Sequence, residues 1–321
     1  MVHSVQPRFL SAMTALTAVV LAGCGALTAP PIRPPDGRIA FVANNGGAAA
    51  VYIMRADGSG QTRVTSSFGP GPGLSWSPDG QRIVFVANPG ISVMDADGSH
   101  VTLLRSRGES PAWSPDGQRI AFVIRPYEEL PRTGSPEEVD IEKAKEVDIA
   151  VMNPDGSGVT RLTSGWSDVA PAWLPDGQRI AFVRNPLANV VGAVDCLGTC
   201  VIHVDGSGIT ALPHVDADPA WSPNGQKIAF VSFSIDGPGI YVTDSAGASP
   251  TNLTATLSGT FAYPAWSPDG TRIAFAFTHG VTDVFGSTKF GLTSVYVVNS
   301  DGSGLTQLTD GVDAIWGLSW R

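Results

Sequence analysis

Residues Trp113 to Val123 read Trp-Ser-Pro-Asp-Gly-Gln-Arg-Ile-Ala-Phe-Val, and close copies begin at Trp76, Trp173, Trp221 and Trp266. Self-similarity at such intervals marks a repeat architecture, in which each unit buries its apolar face against the next. The apolar core Ile-Ala-Phe-Val, or a near relative, starts at Ile39, Ile83, Ile120, Ile180, Ile228 and Ile273. A tryptophan preceded by a small or apolar pair occurs at Trp76, Trp113, Trp173, Trp221, Trp266 and Trp320. Both counts give six units.

A second Asp-Gly unit separates the copies, as at Asp57-Gly58-Ser59-Gly60, Asp97-Gly98-Ser99, Asp155-Gly156-Ser157-Gly158, Asp205-Gly206-Ser207-Gly208 and Asp301-Gly302-Ser303-Gly304. In the fifth repeat Ser245-Ala246-Gly247-Ala248 replaces it. The unit follows an apolar run such as Val51-Tyr52-Ile53-Met54 and precedes a run closing on Leu-Thr, as at Leu162-Thr163. Each repeat thus reads as four strands. With 37 Gly and 25 Pro beside 43% apolar residues, the chain consists of short apolar segments cut by turns, which predicts an all-β fold. Four-stranded units at this spacing predict a six-bladed β-propeller of antiparallel blades. The unbroken run Ile-Ala-Phe-Val suits a strand buried on both faces. The first copy, Pro35-Asp36-Gly37-Arg38-Ile39, lacks a Trp strand, whereas the chain stops on one, Leu318-Ser319-Trp320-Arg321. Joining the two predicts that the C-terminal strand is the innermost strand of the first blade, a clasp that removes an open edge.

Trp-Ser-Pro-Asp-Gly-x-x-Ile-Ala-Phe, followed by an Asp-Gly-Ser-Gly hairpin and Leu-Thr, resembles the PD40 repeat of TolB-like propellers over residues 36 to 321. The resemblance implies the fold far more than any activity, since many functions sit on propellers. TolB resembles an α/β domain followed by a propeller, while only residues 24 to 35 separate the first strand from the leader here. Related peptidases carry a catalytic α/β-hydrolase domain, and this chain has neither room for one nor a Gly-x-Ser-x-Gly elbow. The Tol-Pal role and peptidase activity are therefore not carried over.

Arg8 is the only formal charge before residue 24, and Phe9 to Gly23 is an apolar stretch of signal-peptide length, short for a spanning helix. It ends in Leu21-Ala22-Gly23-Cys24, which resembles the lipobox of bacterial lipoproteins. That resemblance implies a signal peptide over 1–23, a lipid on Cys24 and a Pro-rich tether over 24–35. The protein would then be anchored to a membrane of the cell envelope, outside the cytoplasm, on the periplasmic side or the cell surface. An ordinary secretory signal or an uncleaved anchor is the alternative. Cleavage takes the formal charge from −9 to −10 by removing Arg8. An acidic chain lacks the basic footprint nucleic acid requires. Outside the cytosol, Cys196 and Cys200 read as a disulfide. Half a zinc site is the alternative, though no ligand cluster follows at zinc spacing.

The repeated carboxylates Asp36, Asp79, Asp116, Asp176 and Asp269 invite a catalytic reading, but Asn224 fills the remaining copy. In Ser-Pro-Asp-Gly, Pro, Asp or Asn, and Gly each meet a turn requirement that needs no charge. Asp95-Ala96-Asp97-Gly98 lacks the rest of a calcium loop and reads as a hairpin. Propeller geometry puts both kinds of Asp-Gly turn on one uniform face, leaving the variable connections, and with them binding, to the opposite face. Long connections run over 125–146, 184–199 and 276–293, the first with helix-start signals ahead of Pro136 to Lys145.

Loops entering the Trp strands should ring the channel mouth on the variable face, and they supply Glu109, Asp168, Asp216, Asp218 and Asp313. Such a rim suits a divalent cation or the basic part of a partner. Phe68, Trp166, Phe261, Tyr263 and Trp316 fall in the same loops and are candidate anchors. The channel metal site of propeller lyases and lactonases makes His214, Asp216 and Asp218 weak candidate ligands. The expectation is a monomeric, non-enzymatic, lipid-anchored propeller that binds another envelope protein through its variable face and needs no cofactor. A metal-dependent hydrolase or lyase, or a carbohydrate-binding or sensory module, is the alternative.

Overall fold

The computed structural model describes residues 37–44, 49–65, 71, 73–125, 146–185, 196–233, 236–282 and 288–321. Cys24, Asp36, Phe68 and the expected helix over 136–145 lie outside them. The described strands form six sheets of four antiparallel strands each, and five of these sheets use strands consecutive in sequence. Blade 1 joins the two ends: Ala314–Trp320 pairs with Arg38–Asn44, setting Ile39 opposite Trp320 and Phe41 opposite Leu318. The backbones of Arg38 and Arg321 exchange hydrogen bonds just beyond. The innermost strands of blades 2 to 6 are Leu74–Trp76, Glu109–Trp113, Ser167–Trp173, Ala217–Trp221 and Gly259–Trp266. This is the expected six-bladed propeller with its expected closure.

The run Ile-Ala-Phe-Val is buried on both faces because each face meets a different neighbour. Ile39 and Phe41 of blade 1 pack with Ala274 and Ala276 of blade 6, whereas Ala40 and Val42 pack with Ile83 and Phe85 of blade 2. The scheme recurs with Val84 against Ile120 and Phe122. It recurs again with Ala121 and Val123 against Ile180 and Phe182, and with Ala229 and Val231 against Ile273 and Phe275. Side chains alternate across a strand, so one face of each second strand is bulky and the other small. A bulky face seated on a small one fills the interface to the density that interiors require. Burial of each such Ile or Phe contributes ~1.5–3 kcal/mol.

The Ser-Pro-Asp-Gly turns show why the carboxylate recurs. Ser77 Oγ donates to Asp79 Oδ1 at 2.5 Å, and the Gln81 N–H donates to the same oxygen at 2.9 Å. In the fifth copy Ser222 Oγ and the Gln226 N–H donate to Asn224 Oδ1 at 2.8 and 3.1 Å. An amide oxygen does the same work, so the recurring group is a hydrogen-bond acceptor.

The arginine before the Ile ties four pairs of neighbouring blades together. Arg38 lies over the Trp76 ring, Arg82 over Trp113, Arg119 over Trp173 and Arg272 over Trp320, at 4.8 to 5.2 Å. Arg38 and Arg119 also donate to the Gly80 and Gly177 carbonyls of the next blade, both at 3.0 Å. Blade 4 departs from this pattern. Leu174 replaces its turn serine, and Arg179 Nε turns instead to Asp176 Oδ2 at 2.8 Å. Trp221 of blade 5 then has no arginine over its ring among the described residues, and it is the one repeat tryptophan that is not fully buried.

Candidate functional site

Three residues before each tryptophan, the innermost strands reach their most constrained point. Ser110, Ala170, Asp218 and Tyr263 have φ of 50°, 53°, 46° and 53°, and Gly73 has φ of 104°. In blades 3 to 6 the pairing register slips here, between Glu109 and Ala112, Val169 and Ala172, Ala217 and Ala220, and Ala262 and Ala265. These are β-bulges, which re-aim side chains, and a left-handed non-glycine residue costs about 1–2 kcal/mol. The bulge residues and Gly317 line a cavity of about 550 Å³ bounded by the innermost strands of all six blades. Its lining continues to the turn prolines Pro78, Pro115, Pro175, Pro223 and Pro268. The concave feature of the bore therefore lies toward the uniform Ser-Pro-Asp-Gly face.

Asp218 and Tyr263, expected at the variable-face mouth, line this cavity instead. The Tyr263 N–H donates to Asp218 Oδ2 at 3.1 Å, a contact that crosses from blade 6 to blade 5. Burial pushes the Asp218 carboxyl above its ordinary range, against that hydrogen bond. Burial, and then the Asp218 charge, push the Tyr263 phenol up to about 12. The only titratable side chains in the lining are Asp218, Tyr263 and Arg321.

On the variable face, the expected rim carboxylates are largely committed to their own blades. Glu109 Oε1 accepts from Arg125 Nη2 at 3.0 Å. Asp168 accepts from Arg184 Nε and Nη2, both at 2.8 Å, with the carboxylate 0% and the guanidinium 5% exposed. Trp166 and Phe182 flank that guanidinium at 5.1 and 5.2 Å. Strand register sets Asp168 opposite Arg184, which withdraws Asp168 from the contact surface expected of it and draws Trp166 into the same packed group. Asp216 Oδ2 accepts from Ser232 Oγ at 2.7 Å and from the Phe233 N–H at 3.3 Å. Asp313 is exposed, and its N–H donates to the Asn44 carbonyl at 3.1 Å.

Other expected residues also move inward. Phe261 is buried against Phe275 and Phe277, because its place in the innermost strand faces the blade interior. Trp316 is half-buried against the cluster shared by blades 1 and 2, and its carbonyl accepts from the Gly73 N–H at 2.7 Å. His214 is exposed beside the Ala246 to Pro250 turn and does not converge with Asp216 and Asp218. Among the described residues no group of three or more His, Cys, Asp or Glu is placed to hold a metal ion. Cys196 and Cys200 are joined as a disulfide with Cα atoms 5.9 Å apart.

Sequence reasoning missed Asp148, which is 0% exposed where blade 3 meets blade 4. Arg161 Nη2 lies 2.6 Å from its Oδ2, but the contact is an ion pair without good hydrogen-bond alignment. Burial pushes the Asp148 carboxyl up to about 7; Arg161 opposes this, while the Asp168 and Glu146 charges reinforce it. The signal was a carboxylate inside the apolar run Val147-Asp148-Ile149. Sequence reasoning also missed Val101, exposed beside the Asp97-Gly98-Ser99 hairpin, and a set of three apolar side chains, Leu197, Phe233 and Leu292; all four are at least half exposed. Leu197, Phe233 and Leu292 sit on connections or strand extensions between the second and third strands of blades 4, 5 and 6.

Residues 10–129 and 201–316 match PD40, the TolB beta propeller domain. The chain belongs to this family. A TolB homolog from Chlorobium luteolum is 28% identical over 166 residues, covering 50% of this chain and 34% of the relative. The Tol-Pal system protein TolB of Zymomonas mobilis is 41% identical over 66 residues, 18% of this chain and 14% of its own. TolB from Acinetobacter baumannii has the same fold, with a TM-score of 0.64 at 20% identity, covering 88% of this chain and 66% of that one. The matched part thus spans about a third or less of the length of these curated relatives.

Proposed function

We propose that this protein is a lipid-anchored, extracytoplasmic propeller that binds a protein partner of the cell envelope through its variable face. One observation carries the reading: Phe233, 59% exposed, sits directly on Asp216, its N–H donating to the carboxylate. An aromatic ring left in solvent beside an acid is the composition of an interface anchor. Leu197 and Leu292 add exposed apolar side chains on the adjoining blades, and the exposed Asp313 adds acidic character at the same face. Membership of the PD40 family, with a Tol-Pal system protein among the relatives, supports an envelope setting. Leu21-Ala22-Gly23-Cys24 supports the lipid anchor.

The test is in-cell photo-cross-linking with the reactive group at position 233 or 292, compared with position 118 on the uniform face. Recovery of one envelope protein from the first two positions and not from the third is the expected result. Equal yields from all three, or none from any, would sink the interaction. Cys24→Ser in the same cells is expected to move the protein from the membrane fraction to the soluble one.

A further inference from the structure

The bore holds a carboxylate, Asp218, that forms no ion pair among the described residues, although Arg321 lines the same cavity. Asp218 lines the cavity, and among the described residues no cation lies within ion-pair distance of it. Its polar contact is the Tyr263 N–H to Oδ2, and among the described residues Oδ1 has no donor. The other rim acids differ in this respect, since Glu109 and Asp168 each hold an arginine. A partly buried carboxylate is favoured by a counter-charge, and this one stands at a strained backbone position that fixes where it points.

The surroundings narrow the chemistry of what would neutralise it. Trp221, three residues along the same strand, lines the same cavity and, like Trp266, has no arginine over its ring among the described residues; of the repeat tryptophans it is the most exposed one. An indole face within a bore attracts a cation. Tyr263 adds a hydroxyl that the protein leaves without a hydrogen-bond partner among the described residues. Prolines and the other tryptophans supply apolar wall, interleaved with hydroxyls such as Ser75 and Ser110. A calcium ion asks for six to eight oxygen ligands, and no cluster of acids is present to supply them. A volume of about 550 Å³ lies within the range of small-molecule sites.

We infer that the bore is a binding site for an organic ammonium group carried on an apolar body, paired with Asp218 and resting against Trp221. The ammonium could belong to a free amine or to a lysine side chain inserted by a partner. The site is separate from the variable face, so the two readings stand or fall independently.

The experiment is calorimetric titration of the full chain with phenethylamine, with its uncharged counterpart 2-phenylethanol, and with a blocked Gly-Gly-Lys-Gly-Gly peptide. Phenethylamine is expected to bind at least tenfold more tightly than the alcohol, and Asp218→Asn to abolish that difference. Asparagine tolerates left-handed backbone as well as aspartate does, so this variant keeps the bulge, and its thermal melt reports whether it folds. Trp221→Leu is expected to weaken the amine severalfold with Asp218 intact. Tighter binding of the peptide than of phenethylamine, lost in Asp218→Asn, assigns the site to a partner's lysine; the reverse order assigns it to a free amine. No binding of either ammonium probe, or equal binding to Asp218→Asn, overturns the inference.

Discussion

Arg272 lies over the indole of Trp320, 5.0 Å from the ring centroid, and so fastens the last blade to the strand that closes the first. The same contact joins blades 1 to 2, 2 to 3 and 3 to 4, which makes closure one more turn of a repeated device. Trp320→Ala is expected to cost ~3–5 kcal/mol, as for other buried aromatics. Arg272→Met, which keeps the side-chain bulk and loses the cation, is expected to cost ~1 kcal/mol. Urea denaturation measures both, and a Trp320→Ala cost no larger than a surface substitution would contradict the clasp.

The turn carboxylates should be replaceable by amides but not by alanine. Asp79→Asn is expected to stay within ~0.5 kcal/mol of the parent at pH 7, and Asp79→Ala to lose about 1 kcal/mol with its two hydrogen bonds. The Ser77 hydroxyl and the Gln81 N–H hold the Asp79 carboxyl below its ordinary range. Its contribution is therefore present at neutral pH and is lost as pH falls through that lowered value. Asp79→Asn should accordingly flatten the acid limb of the stability curve.

Backbone strain in the bore predicts opposite outcomes at two equivalent positions. Ala170 has φ of 53°, so Ala170→Gly is expected to be neutral or to stabilise by up to ~1 kcal/mol. At Gly73 a Cβ would meet Ser110 Cα at 2.7 Å, so Gly73→Ala is expected to lower the melting temperature clearly. Thermal unfolding of the pair decides it, and equal effects would mean that the bulge carries no strain.

Asp148 gives the fold a pH dependence of the reverse sign. With its carboxyl pushed up to about 7, the native state keeps a proton that the unfolded chain sheds near pH ~4. Stability from this group is full below that point and declines as pH climbs to 7. Asp148→Asn is expected to gain on the parent progressively between pH 5 and 8, read by thermal melts across that range. A constant offset between the two curves would assign the buried carboxylate an ordinary titration.

The blades were legible in the sequence because Ile-Ala-Phe-Val and the closing Trp each serve a packing requirement that repeats unchanged, and Trp320 without a following strand announced the closure. The rim was less legible. Glu109, Asp168 and Asp216 each find a partner sixteen residues later, across the hairpin, at Arg125, Arg184 and Ser232. Composition suggested free acids where strand register makes pairs. The left-handed ring could not be read at all, since Ser110, Ala170, Asp218 and Tyr263 share a backbone conformation and no side-chain chemistry.

Because Arg38–Asn44 finds its inner partner in Ala314–Trp320, the blade synthesised first is the one completed last. Until the final strand arrives, Ile39 and Phe41 lack the Trp320, Ala274 and Ala276 that cover them, and one strand edge stands unpaired. A chain threaded through a membrane from its N-terminus would spend the whole of its passage in that state. In any folding that proceeds from the N-terminus, the first blade is thus the last to lose its open edge.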